Sequence, residues 1–195
     1  MNPLTQCKKI PILPLLIALA FVVVAAAGAA RAAISDFNGD GHPDYVLFLQ
    51  NAKTPQTAIW YLNNNVFISG ASGPTLPSWW FLVGVADFNR DGHPDYLLEN
   101  GTRQTAIWYL SARTLIGGAY GPKLPSGRWF LAATADFNGD GNPDYVFYND
   151  NTRQTAIWYL NNNVFISGVY GPTLPAGWSL FSDLCQKWDY GYGCQ

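Results

Sequence analysis

Three acidic clusters hold most of the residues that can do chemistry in this 195-residue chain. Nine of its 13 acidic residues lie in three segments with the shared pattern Asp-x-Asn-x-Asp-Gly-x-x-Asp. Calcium is a hard cation that takes six to eight oxygen ligands and tolerates irregular geometry. Side-chain oxygens at positions 1, 3, 5 and 9 of a tight loop can converge on one such ion. The side chains concerned are Asp36, Asn38, Asp40 and Asp44; Asp87, Asn89, Asp91 and Asp95; and Asp136, Asn138, Asp140 and Asp144.

The other positions of each segment fit the same interpretation. Glycine at position 6 lets the backbone turn back sharply. Position 7 then offers a backbone carbonyl as a fifth protein ligand, from His42, His93 and Asn142. Three carboxylates in one loop repel each other, and a divalent cation removes that repulsion. We therefore predict about three bound Ca²⁺ ions. Magnesium and a metal-free Asp/Asn-Gly turn are the alternatives.

An EF-hand begins with similar spacing, but the remaining residues differ from one. Its loop ends on a bidentate glutamate at position 12 and is flanked by helices. Here position 12 is Leu47, Leu98 or Phe147, and the flanking sequence is typical of strands. Proline at position 8 suits a turn that leads into a strand. The segments are therefore predicted to be calcium-binding hairpin loops that join the first two strands of a repeated unit.

The elements that must position these loops also repeat. Asp-Phe-Asn recurs at spacings of 51 and 49 residues, and Thr-Ala-Ile-Trp-Tyr-Leu at spacings of 48 and 50. In the second copy, turn residues separate four short apolar runs, 80–86, 96–99, 105–110 and 114–119. Four strands in 40 to 50 residues are typical of a propeller blade. We predict an all-β, β-propeller-type fold of three four-stranded antiparallel blades, at about 33–79, 80–128 and 129–182, followed by a tail at 183–195.

The Asp-Phe-Asn-x-Asp-Gly-x-Pro-Asp-Tyr segments resemble FG-GAP/VCBS-type repeats and, more distantly, the calcium-binding blades of integrin α-subunit propellers. The resemblance implies calcium in the blade loops and a role in adhesion or ligand binding. Family propellers close with about seven blades, whereas this chain has three units, and its first unit lacks an opening strand. We therefore expect an incomplete or open propeller and self-association as a homo-oligomer that completes it. A truncated fragment of a longer repeat protein is the alternative.

The N-terminal segment is predicted to direct export. Lys8 and Lys9 precede an uncharged apolar stretch from Ile10 to Ala30, and small residues stand where a signal peptidase would cleave. We predict a signal peptide at 1–32 and a secreted or cell-envelope protein that leaves the membrane after cleavage. A retained anchor is the alternative. In an oxidising compartment Cys185 and Cys194 either pair or remain two free thiols.

The remaining residues bear on the partner. A formal net charge of −2 argues against a nucleic-acid partner. No catalytic triad, zinc spacing or phosphate-binding glycine loop is present in the sequence, so we predict no enzyme activity.

Trp60, Trp108 and Trp158 are interpreted as packing residues, with stacking on sugar rings as the alternative. Arg103 and Arg153 are interpreted as solvated turn residues. The predicted partner is a protein or a glycan, and a glycan-binding lectin is the second functional hypothesis.

Overall fold

The computed structural model describes residues 35–49 and 54–180 of the chain. Every regular element in this part is a β-strand, and none of it forms a helix long and apolar enough to cross a membrane. The predicted signal peptide at 1–32, the Cys185 and Cys194 thiols and the tail at 183–195 lie outside the described residues.

The strands follow the predicted repeat. β4 has the bounds expected from the sequence, and β5 to β7 are longer than the predicted runs. The strands are β1 (Tyr45–Leu49), β2 (Gln56–Asn63), β3 (Val66–Thr75), β4 (Trp80–Ala86), β5 (Asp95–Asn100), β6 (Gln104–Ser111), β7 (Thr114–Lys123), β8 (Trp129–Ala135), β9 (Asp144–Asn149), β10 (Gln154–Asn161) and β11 (Val164–Thr173).

The strands form three antiparallel sheets that each correspond to one repeat. Strands β1 to β3 make the first blade, β4 to β7 the second and β8 to β11 the third, each in sequence order. The prediction of an all-β, open propeller-type fold is confirmed. Within the described residues the first sheet has three strands where the other two have four, so β1 is left at an edge of its sheet.

The hairpin between the last two strands of each blade needs a left-handed residue. Asn64 (φ 55°), Ala112 (φ 52°) and Asn162 (φ 53°) occupy equivalent positions there. Asparagine tolerates this conformation because its short polar side chain can bond locally, whereas the Cβ of alanine is crowded by the following carbonyl. The second blade therefore carries the least suitable residue at this turn.

Two joints hold the three blades together, each filled by one apolar cluster. The cluster between the first and second blades includes Ile59 and Leu98, and the cluster between the second and third includes Ile107 and Phe147. Trp108 packs against the first cluster and the adjacent Tyr109 against the second. Because successive side chains of a strand point to opposite faces, strand β6 of the second blade contributes side chains to both apolar clusters. This geometry supports the packing interpretation for Trp108 and Trp158, whereas Trp60 packs against neither cluster.

Candidate functional site

The second and third acidic loops are each the hairpin between the first two strands of a blade. The loop 87–95 joins β4 to β5, where Ala86 pairs with Asp95, and the loop 136–144 joins β8 to β9 in the same register. The loop 36–44 precedes β1. The sequence therefore predicted correctly that the second and third loops join two strands, and for the first loop the residues before Ser35 lie outside the described part.

The first aspartate of each loop organises the turn through backbone amides. In the first loop, Asp36 Oδ1 accepts hydrogen bonds from the amides of Gly39 (2.7 Å) and Asp40 (3.1 Å), and Oδ2 accepts from Gly41 (2.7 Å). The third loop repeats all three bonds and the second repeats the last two. Carboxylate acceptors of this kind hold the loop closed around position 1.

The aspartate at position 5 is exposed and bonds inside its own loop. Asp40 Oδ1 accepts from the His42 amide (2.9 Å), and Oδ2 accepts from Asn38 Nδ2 (2.9 Å). The His42 amide, followed by the Asn38 side chain, lowers the pKa of the Asp40 carboxyl. The pKa of Asp140 is lowered in the same way, first by the Asn142 amide. Both carboxyls are therefore ionised and face solvent.

The aspartate at position 9 is buried and links two parts of the blade. Asp95 is fully buried; its Oδ2 accepts from the Phe88 amide (2.9 Å), and its Oδ1 accepts from the Leu110 amide at the end of β6 (3.0 Å). Asp44 and Asp144 make the equivalent pairs of bonds. Burial raises the pKa of Asp95 to about 6. The sequence pattern indicates these three residues only as ligands and does not reveal their structural bonds.

The donor chemistry of the loops fits calcium, because every candidate side chain offers hard oxygen atoms. The positions of the side chains do not match this donor chemistry. Within residues 35–49 and 54–180, no group of three or more His, Cys, Asp or Glu side chains is placed to hold a metal ion. The carboxylates instead accept hydrogen bonds from the loop amides, including those of His42, His93 and Asn142. Since a carboxylate has about four acceptor sites, these bonds leave room for a cation. The calcium ligands stay a prediction.

An aromatic pocket on the second blade was not foreseen. The Trp80 and Tyr120 rings meet at 6.2 Å between centroids with a tilt of 37°. With Trp108 they wall a cavity of about 270 Å³ whose floor includes Leu98 and Ala106. The third blade repeats the ring pair, as Trp129 and Tyr170 at 6.1 Å and 31°. The repeated Trp and Gly-x-Tyr-Gly positions were visible in the sequence, but their meeting across four strands was not.

Gly118 allows Trp108 to take this position. A Cβ atom on Gly118 would lie 2.9 Å from the Ile107 carbonyl oxygen and 3.1 Å from Trp108 Cδ1. The indole therefore lies against bare backbone. Trp60, the counterpart on the first blade, is 44% exposed.

Arg103 is a packed residue, so its interpretation as a solvated turn residue was wrong. Its guanidinium bonds Glu99 Oε1 at 2.8 Å and donates to the Trp129 carbonyl at 2.6 Å. Arg103 thus ties the second blade to the start of the third. Arg153, its counterpart, donates to the Leu174 carbonyl at 3.1 Å.

Comparison with known families bears on the repeat itself. Residues 36–98 match the family model described as an FG-GAP-like repeat. This segment is therefore similar to FG-GAP-type repeats. It spans the first acidic loop, the first blade and the second loop as far as Leu98 in β5. No curated protein matches the chain.

Proposed function

We propose that the chain is an exported, calcium-stabilised FG-GAP-type module for adhesion or ligand binding. The observation that carries this proposal is one set of oxygen donors placed at the same point of the repeated unit three times. The FG-GAP-like match at 36–98 supports an extracellular adhesion-type role. The apolar N-terminal stretch after Lys8 and Lys9 supports export.

Calcium in this proposal stabilises the hairpins and does no catalysis. In the first loop the side chains of Asp36, Asn38, Asp40 and Asp44 would hold the ion, with the His42 carbonyl. The bound cation would neutralise carboxylates that otherwise repel one another within each loop. A ligand that binds only the folded state raises stability by about 2.7 kcal/mol per site at a hundred times its dissociation constant. Loss of calcium would then loosen the blades.

A calcium titration of the full chain tests the proposal. We expect calorimetry to count about three ions, and the melting temperature to rise by several degrees in calcium relative to EGTA and by less in magnesium. In Asp91→Ala, which removes an exposed loop carboxylate, the count should fall by one. Asp150→Ala is the matched control, because Asp150 pairs with Arg128 outside the loops. Equal melting in calcium and EGTA would refute the calcium proposal.

A glycan ligand is the second candidate, supported by the aromatic pocket. Sugar rings stack on aromatic faces, and Tyr120 is 71% exposed beside Trp80 and Trp108. A glycan array identifies a binder, and titration with that glycan then compares Tyr120→Ala with the wild type. We expect Tyr120→Ala to weaken binding at least about tenfold. Thr114→Ala, at the far end of β7, is the control. An array with no hit removes this candidate and leaves the adhesion proposal standing.

A further inference from the structure

The two joints between blades use the same aromatic pair. At the first joint Phe37 meets Tyr96 edge-on, with centroids 6.1 Å apart and planes at 68°. At the second, Phe88 meets Tyr145 at 6.3 Å and 83°. All four side chains are fully buried. Each joint therefore places a phenylalanine from the acidic loop of one blade against the tyrosine that follows the acidic loop of the next.

A glycine forms a notch for each of these tyrosines. A Cβ atom on Gly73 would lie 3.0 Å from the Tyr96 hydroxyl oxygen, and one on Gly121 would lie 3.2 Å from that of Tyr145. The tip of the ring thus fits beside bare backbone of the preceding blade. The notch on the third blade, at Gly171, has no tyrosine beside it among the described residues.

Each end of the array carries one half of the same joint. Phe137 is 49% exposed on the third blade, whereas Phe37 and Phe88 are fully buried. Tyr45 is 59% exposed on the first blade, whereas its counterparts Tyr96 and Tyr145 are fully buried. The third blade thus offers a phenylalanine and a notch that no tyrosine of the described residues fills, and the first blade offers the tyrosine that fits them.

We propose that two copies of this chain bind head to tail, with Tyr45 of one copy against Phe137 and Gly171 of the other. The argument is continuity with the internal joints, because the two free faces are the two halves of a contact that the chain already makes twice. It does not involve the aromatic pocket. Such a contact uses different faces of the two copies, so it either closes into a ring or grows. Two copies together have six blades, within the range of closed propellers.

Sedimentation of the full chain tests the proposal directly. We expect the wild type to associate, and Tyr45→Asp and Phe137→Asp each to weaken association at least about 30-fold, as loss of a central aromatic contact does. Tyr120→Asp is the matched control, since Tyr120 is an exposed tyrosine on neither free face. Should Tyr45→Asp fail to fold by circular dichroism, Tyr45→Ser replaces it.

Mixing the two variants distinguishes this contact from other modes of association. Each variant keeps one intact face, so an equal mixture should form a one-to-one dimer that neither forms alone. A symmetric contact between like faces would not give that pattern. The proposal is overturned if the wild type stays monomeric up to about 100 μM. It is also overturned if Tyr45→Asp associates like the wild type.

Discussion

Replacing Gly121 with alanine tests whether the notch at the second joint has room for a Cβ atom. The added Cβ would lie 2.5 Å from Thr105 Oγ1 and 3.2 Å from the Tyr145 hydroxyl oxygen. Thr105 is fully buried and its hydroxyl donates to the Pro122 carbonyl at 2.7 Å. The new methyl group must therefore displace a side chain that has a fixed partner.

The expected loss combines three effects. Overpacking a close-packed site costs about 1–3 kcal/mol. Breaking the hydrogen bond from Thr105 to Pro122 costs about 0.5–1.5 kcal/mol more. The smaller entropy of an unfolded chain with alanine returns about 0.4–1 kcal/mol. We therefore expect Gly121→Ala to lower the free energy of unfolding by about 2 kcal/mol.

Urea denaturation followed by tryptophan fluorescence measures this change. Gly101→Ala is the matched control, because a Cβ there meets nothing within 4 Å, and it should stay within about 1 kcal/mol of the wild type. The double variant Thr105→Ala/Gly121→Ala removes the hydroxyl that the methyl group would strike. Its loss should be smaller than the sum of the two single losses by at least about 1 kcal/mol. A Gly121→Ala protein as stable as Gly101→Ala, or strictly additive losses, would refute the reasoning.

Three further substitutions test single contacts by urea denaturation. Ala112→Asn should raise the free energy of unfolding by about 0.5–1 kcal/mol, because asparagine tolerates the left-handed conformation at φ 52°; an unchanged midpoint would argue against strain there. Arg103→Met should lower it by about 2–4 kcal/mol at neutral pH, because Glu99 is left mostly buried without its partner. Burial already raises the pKa of Glu99, and removing the arginine raises it further, so Glu99 takes up a proton above its usual range and the loss should shrink as the pH falls toward 4, where the buried carboxyl is neutral; a loss independent of pH would contradict this. Arg128→Ala should change it by less than about 0.5 kcal/mol, since the pair with Asp150 is largely exposed; a larger loss would mean that this pair holds the β8 hairpin.

Much of the fold could be predicted from the sequence because its determinants are local. Turn residues such as Pro94 and the Asn-Gly-Thr-Arg run beginning at Asn100 delimit the strands, and the repeat shows that each unit folds in the same way. The three strands that the first sheet has among the described residues follow from the same counting, because the first unit lacks an opening strand in the sequence. How the sheets pack depends on contacts between residues far apart in the chain, such as Phe88 and Tyr145, and no local pattern encodes those.

The candidate site was predicted less completely. Spacing alone placed the second and third acidic loops at hairpins, but it treated all the loop carboxylates alike. Asp91 is exposed and bonded within its loop, whereas Asp95 is buried because its oxygens accept amides from two separate segments. The bond to Leu110 spans 15 residues, and burial of this kind becomes visible only when β5 and β6 pair. The aromatic pocket could not be predicted for the same reason, since Trp80 and Tyr120 lie on different strands of one sheet.

Because the two joints use the same contacts, the structure has a consequence for how the number of repeats can evolve. The phenylalanine and the glycine notch that one unit presents match the tyrosine of any other unit, as the pairs Phe37 with Tyr96 and Phe88 with Tyr145 show. A gene duplication that inserts another unit of about 50 residues would supply both faces that its neighbours need, without compensating mutations. Unequal recombination between the near-identical repeats can therefore lengthen or shorten the array one whole blade at a time. Copy number, and not new surface chemistry, sets how far this architecture extends.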